Sequence, residues 1–266
     1  MTQRWRQGRD SYRPLGEPID PSRYGVEIIE DDRTPKAFVE AHHYSGSYPA
    51  ARFRVGLCRS RPFFAPELVG VAVFSVPAQQ AVIPRYLPDL TPADGVELGR
   101  FVLLDDVPAN GETWFLARAF RALRAALGVR GVVAYSDPFR RTNAQGDVVL
   151  PGHVGTIYQA FNGSYLGQSR ARTILLDPAG RVLNERTISK IRLGERGEDY
   201  AYRQLRRLGA PSRTTGEDGA AYVERVLGCG LFRRVRHPGN HVYAWPLERG
   251  VETSERVVEF PKLDAP

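Results

Sequence analysis

The stretch VELGRFVLLDDVPANGETWFLARAFRALRAALG, residues 96–128, carries the strongest strand signal of the chain followed at once by its clearest helix. Residues 96–106 are rich in Val, Leu and Phe, the composition of a strand. Residues 110–128 place Phe115, Ala119, Ala122 and Ala126 along one side, with Arg118, Arg121 and Arg124 spread around the rest, so an amphipathic helix is predicted. Gly128 closes it. A strand passing through a short loop into a helix that can cover it is a building block of α/β sheets.

Working outward, GVVAYSDP (131–138) reads as a buried strand that ends in polar residues. Upstream, YGVEIIE (24–30) is a predicted strand, and TPKAFVEAHHYSG starts a helix with Thr34 as cap and Pro35 at its first position, ending near His43. Residues 52–60 and 67–77 have strand composition, with Pro62 and Pro66 marking a hairpin-like connection, and 77–92 is a proline-rich loop. Downstream come a helix from about Val154, a strand with a DPAG turn in 165–180, short helices within 195–209 and 217–228, and a late strand, HVYAWPL, at 241–247. This order predicts a mixed α/β sheet flanked by helices on both faces with a C-terminal extension. A Rossmann fingerprint and a Walker loop are both missing, which excludes dinucleotide and nucleoside-triphosphate binding by those routes.

Composition narrows the class. With 42% hydrophobic and 10% aromatic residues in 266, the chain can build a sizeable core. No apolar run approaches the ~20 residues of a membrane helix, and the N-terminus lacks a signal-peptide stretch, so a cytoplasmic protein without membrane partners is expected. Cys58 and Cys229 stand alone, which points to reduced, buried thiols rather than a disulfide framework or a cysteine zinc site. Net charge is +7 and nearly all the surplus is arginine, since lysine occurs only at Lys36, Lys190 and Lys262. Arginine forks onto phosphates and stacks on bases, but GC-rich coding bias also replaces lysine by arginine throughout, and composition alone weighs the two evenly. The expected organisation is a flexible basic arm (1–22, with four arginines), a core (23–194), C-terminal helices and late strand completing the domain (195–250), and a tail (251–266).

Chemistry-bearing residues gather at strand and helix ends. Asp137 follows a strand at the carboxyl edge where α/β sheets bind ligands, although Asp-Pro is equally a plain turn. His153 stands at the start of a predicted helix, as a base or donor or simply as a cap. Gly155, Gln159 and Asn162 follow i, i+4, i+7 spacing and so share a predicted helix face; the amides suit adenine recognition in a flipped-base pocket, or tie down loops. Tyr158 and Tyr165 can stack on a base or pack in the core. The AHHYSGS stretch (41–47) ends the first helix with His42 and His43, either a base or, with His153, metal ligands, against the plainer reading of helix-end histidines. HPGNH (237–241) reads as a Pro-Gly turn into a strand.

Taken together, AHHYSGS, ELGRFVLLDDVPANGETWFLARAFRAL, AYSDP followed by GHVGTIYQAFN and YLG, and HVYAWPL resemble the phage Mom family of DNA adenine-modifying proteins, over roughly residues 24–247. The resemblance implies an acetyltransferase-like (GNAT) fold, a transferase that converts adenine in duplex DNA to its N6-carbamoylmethyl form as an anti-restriction device, and residence in the cytoplasm of a bacterial host. Carried over by position, the pocket draws on His43, Tyr44, Ser45, Arg100, Asp137, His153 and Tyr158 as catalytic residues, with Gln159, Asn162, Tyr165, Arg140 and Arg141 on the substrate. Where ordinary acetyltransferases carry a Gln or Arg and spaced glycines before the long helix, this chain reads DDVPANGETWF. The donor is therefore open: acetyl-CoA, another small donor, and iron or another metal all stay on the table, as does a homodimer. The loop 138–151 looks longer than the family's and offers Arg140 and Arg141 to DNA. Two other classes compete: an acyltransferase acting on RNA, protein or a small molecule, and a non-catalytic DNA-binding protein.

Overall fold

The computed structural model describes residues 2–6, 9–13, 17–257 and 259–262, the first two segments by their backbone only. In chain order the elements are β1 (Thr2–Arg6), β2 (Arg9–Arg13), β3 (Tyr24–Ile28), α1 (Arg33–His42), β4 (Ala51–Arg61), β5 (Phe64–Ser75), α2 (Val82–Tyr86), β6 (Gly95–Leu103), α3 (Gly111–Leu127), β7 (Gly131–Ser136), β8 (Arg141–Thr142), β9 (Val148–Leu150), α4 (Thr156–Ala160), β10 (Ser164–Gln168), β11 (Arg172–Leu176), α5 (Glu185–Arg192), α6 (Glu198–Arg207), α7 (Gly219–Gly228), β12 (Arg233–His237) and β13 (His241–Pro246). Within the segment expected as a flexible arm, β1 and β2 form an antiparallel ladder.

Two compact units result: residues 1–138, 152–169 and 240–266 in one, residues 139–151 and 170–239 in the other. This grouping cuts across the expected limits at 194 and 250. The reason is β13, which pairs with β7 on one side and β10 on the other, so the end of the chain must return to finish the first unit's sheet.

The first unit holds a seven-stranded sheet in the order β10-β13-β7-β6-β5-β4-β3. All neighbours are antiparallel except β6 and β7, joined in parallel through α3. Phe115, Leu116, Ala119, Phe120 and Leu123 of α3 pack on Val55, Leu57, Val69, Ala72 and Phe74, and Val39 of α1 packs with Val71 and Val73. Along β5 alternation sends Ala72 and Phe74 to one face and Val71 and Val73 to the other, and the irregular register at Val69 returns that residue to the α3 side, so helices cover the sheet on both. This is the mixed α/β sheet with helices on both faces that the sequence predicts.

Local chemistry accounts for the differences from the sequence reading. Helix α1 begins at Arg33, so Thr34 is its second residue and not its cap: Asp31 Oδ1 accepts the Thr34 N–H at 2.9 Å, and Pro35 is buried at the third position. Gly128 closes α3 in the left-handed region at φ 62° as expected. The proline-rich loop hides the short α2, whose Ile83 and Tyr86 are buried with Val133 and Val242.

The second unit gathers α5, α6 and α7 around Ile188, Ile191, Ala201, Leu205, Tyr222, Val223 and Val226, with β11 and β12 paired antiparallel. Of these elements α5 and β12 are not announced by the sequence reading. The long loop 138–151 contributes the small hairpin β8–β9 to this unit. Both cysteines are free; Cys58 is part-buried, but Cys229, just past α7 where the chain turns, is exposed rather than buried. Among the described residues no helix is long and apolar enough to cross a membrane.

Candidate active site

Strands β6 and β7 are hydrogen-bonded only from Gly95–Gly131 to Glu97–Val133, yet β6 runs on to Leu103 and β7 to Ser136. Past Glu97 the two strands part, each paired on its outer side alone. Near the opening, β6 carries a bulge: Val73 faces Arg100 but Phe74 faces Leu98, leaving Gly99 as the extra residue. A Cβ on Gly99 would run into Ser75 Oγ. The extra residue reverses the alternation, so Leu98 and Phe101 both join the α3 core while Glu97 and Arg100 come to lie on the other face.

Four segments feed this region: the turn after α1, β6, the end of β7, and the entry to α4. Gly155 makes the last approach close, since at φ 78° a Cβ would sit 2.6 Å from Tyr243 Cε2 and 3.1 Å from Ser136 Oγ. The His153 N–H donates to the Asp137 carbonyl at 2.8 Å, joining the end of β7 to the start of α4. His153 Nε2 lies 2.9 Å from the Tyr44 hydroxyl, 109 residues away in sequence. Burial holds the His153 imidazole down to about 4; the Asp137 charge opposes this in part, and His241 adds to it. At neutral pH the pair is therefore a neutral imidazole against a phenol.

The neighbouring His43 stacks on Tyr44, with ring centres 4.2 Å apart. Its Nδ1 accepts the Ser45 backbone N–H at 3.1 Å and lies 2.8 Å from Ser45 Oγ. A backbone N–H can only donate, so Nδ1 carries no proton and neutral His43 holds its proton on Nε2. Burial first, then the charges of Arg100 and His153, push its pKa well below the usual histidine range. His43 is thus a hydrogen-bond donor in the site rather than the base that the sequence alone allowed. Arg100 donates from Nε to the Ser47 carbonyl and from Nη2 to Ser47 Oγ, each at 2.8 Å, so it clamps the turn that presents His43, Tyr44 and Ser45.

The sequence reading missed one carboxylate. Glu97 is part-buried, and desolvation raises its pKa against the opposing pull of Arg100. The signal was present, as an acid between Val96 and Leu98 in a strand-forming run. Tyr158 is buried and its pKa raised, first by desolvation and then by Tyr44 and Glu97, with Arg100 pulling the other way. Ser136 Oγ is fully buried with no hydrogen-bond partner among the described residues.

Several expected residues fall elsewhere. Helix α4 has only five residues, because Gly155 caps it in the left-handed region and Asn162 turns the chain at φ 55°. The shared face of Gly155, Gln159 and Asn162 therefore does not exist. Asn162 is exposed in that turn. The Gln159 amide donates to Val154 O, Tyr243 Oη and Pro261 O at 3.0–3.3 Å, and so binds segments of the protein together. Tyr165 is buried in the main core with its hydroxyl 2.8 Å from His241 Nδ1. His42 is exposed and stacks on Phe38, apart from His43's hydrogen bonds. Arg140 and Arg141 belong to the second unit.

Neither suggested cofactor finds a ready cradle. Among the described residues no three His, Cys, Asp or Glu side chains converge as metal ligands, so His43 and His153 lack a third partner for iron or another metal. At the amino end of α3, where a pyrophosphate would use free N–H groups, the Ala109 N–H donates to Glu17 Oε2 at 3.3 Å and Glu112 is buried in the first turn. Asp106 in the same loop pairs with Arg59 at 2.6 Å. Carboxylates already occupy the positive end of the helix and would repel the diphosphate of coenzyme A.

The seven-stranded mixed sheet parts between its two parallel strands, and titratable side chains gather at the parting. The chain belongs to the Mom protein family, whose sequence profile matches residues 23–214. Membership places it among DNA-modifying transferases. A solved structure of AtaTR bound with AcCoA shares 13% identity over 54% of this chain and 85% of its own, at a TM-score of 0.28, too slight a likeness to carry an argument. Among curated proteins none matches.

Proposed function

We propose that the protein transfers a carbamoylmethyl-type group to N6 of adenine in duplex DNA, as a phage defence against restriction. The observation that carries this reading is the neutral His153–Tyr44 pair beside Asp137, on strands and turns of a Mom-family fold. Adenine N6 is a poor nucleophile because its lone pair is delocalised into the ring, so a catalyst must orient it and take a proton as the new N–C bond forms. With Nδ1 protonated, His153 accepts the Tyr44 proton through Nε2 while the Tyr44 oxygen takes one from N6. Asp137 then stabilises the imidazolium, as a carboxylate does behind a catalytic histidine. His43, its proton on Nε2, is a donor for negative charge building on the group that leaves the donor molecule. Arg100 acts through Ser47 as a positioning residue.

The test is nucleoside mass spectrometry on DNA from cells expressing the parent protein and Asp137→Asn. Loss of an acid–base partner costs ~10²- to 10⁴-fold, so modified adenine should fall to the detection limit in the variant while the melting temperature stays near parental. Parental levels of modification in Asp137→Asn would end this assignment. The competing acyltransferase reading would gain if coenzyme A co-purified with the protein.

A further inference from the structure

The arginine surplus is not spread over the molecule. Residues 139–151 and 170–239 hold 17 Lys and Arg against 9 Asp and Glu, a net charge of +8 in 83 residues. The other 183 residues hold the remaining 20 basic and 21 acidic side chains, for a net charge of −1. Coding bias would enrich both units alike. Segregation of the whole surplus into one unit is what a polyanion-binding surface requires.

Within that unit α6 supplies an ordered face. Ala201 and Leu205 are buried against α5 and α7, which turns Asp199, Tyr200, Arg203, Arg206 and Arg207 outward at helical spacing. Arg196 is exposed two residues before the helix. Arg196, Arg203 and Arg207 form no ion pair among the described residues, whereas Arg186, Arg213 and Arg225 of the same unit are each engaged with a glutamate. Tyr200 is 57% exposed among these arginines, the aromatic-with-cation pattern of nucleic-acid surfaces. The acid at Asp199 lies in the first turn of α6, where it serves the helix dipole.

We propose that the outward face of α6, with Arg196, is a docking surface for the sugar-phosphate backbone of duplex DNA. The inference rests on the functional reading above and assigns the grip on the substrate to a part of the chain distinct from the acid–base cluster. It contacts phosphates, so it carries affinity and not sequence preference.

The experiment compares a labelled duplex bound by the full-length parent, by the triple variant Arg196→Ala, Arg203→Ala, Arg207→Ala, and by a control triple in the other unit, Arg33→Ala, Arg121→Ala, Arg124→Ala, across a salt series. If about six phosphates are neutralised, the parent loses about 2 × 10³ in affinity from 50 to 200 mM salt, and removal of three contacts reduces that loss to about 40-fold. The control triple should keep the parental slope, and thermal melts should match for all three proteins. A parental slope in the α6 variant, equal losses in both triples, or tighter binding of an RNA of the same length would overturn the α6 assignment and leave the proposed chemistry standing. No duplex binding by the parent at low salt would overturn both.

Discussion

Replacing His153 by glutamine isolates the cost of holding an imidazole neutral beside Tyr44. Glutamine keeps a hydrogen-bonding group within reach of the hydroxyl but does not titrate between pH 4 and 7. In the folded protein the His153 pKa is about 4 against an ordinary 6.5. The unfolded chain therefore binds the proton first, and folded stability is intact above pH 6.5 and falls as pH drops toward 4. The shift amounts to ~3 kcal/mol when complete and ~2 kcal/mol at pH 5. At roughly 2–4 °C per kcal/mol for a chain of this size, His153→Gln should narrow the gap between melting temperatures at pH 7 and pH 5 by about 4–8 °C. His43 and His241 are also held down by burial, so part of the acid limb should persist in the variant. Differential scanning calorimetry at pH 5, 6 and 7 on both proteins provides the measurement. An unchanged gap would mean that His153 is not held neutral in the folded state, and the proton path through Tyr44 would fail with it.

Two further outcomes follow from groups the same structure brings together. Glu97→Gln should raise the melting temperature at pH 8, because a carboxyl whose folded pKa is raised loses its stabilising contribution as pH climbs through that value; a lower melting temperature across pH 4–8 would show that the Glu97 charge is needed by Arg100 instead. Acetyl-CoA should show no micromolar heat of binding by titration calorimetry, given the carboxylates at the amino end of α3, and a clear micromolar isotherm would return the protein to the ordinary acetyltransferases.

Much of the fold was legible in the order of residues because it depends on local periodicity. The strand at 96–103, the helix closed by Gly128 and the buried strand at 131–136 each bury a face set by spacing alone, and the alternation of strands and helices leaves few ways to stack them. Family likeness supplied the rest of the expectation, including seven candidate catalytic residues that come from four segments of the chain.

What spacing does not encode is what the tertiary structure decided. The bulge at Gly99 flips the alternation of β6 and brings Glu97 to the face of Arg100, an outcome that appears only when the strand pairs with β5. The amides of Gln159 and Asn162 separate because α4 stops after five residues, where turn chemistry overrides the helical pattern. The tautomer of His43 depends on one backbone N–H two residues away, and the neutrality of His153 on being buried against a tyrosine 109 positions distant. The charge surplus, evenly ambiguous in composition, acquires meaning only when contacts divide the chain into units that alternate in sequence. Periodicity is a property of neighbours along the chain; proximity across it, and the desolvation that sets a proton's position, exist only once the chain has closed.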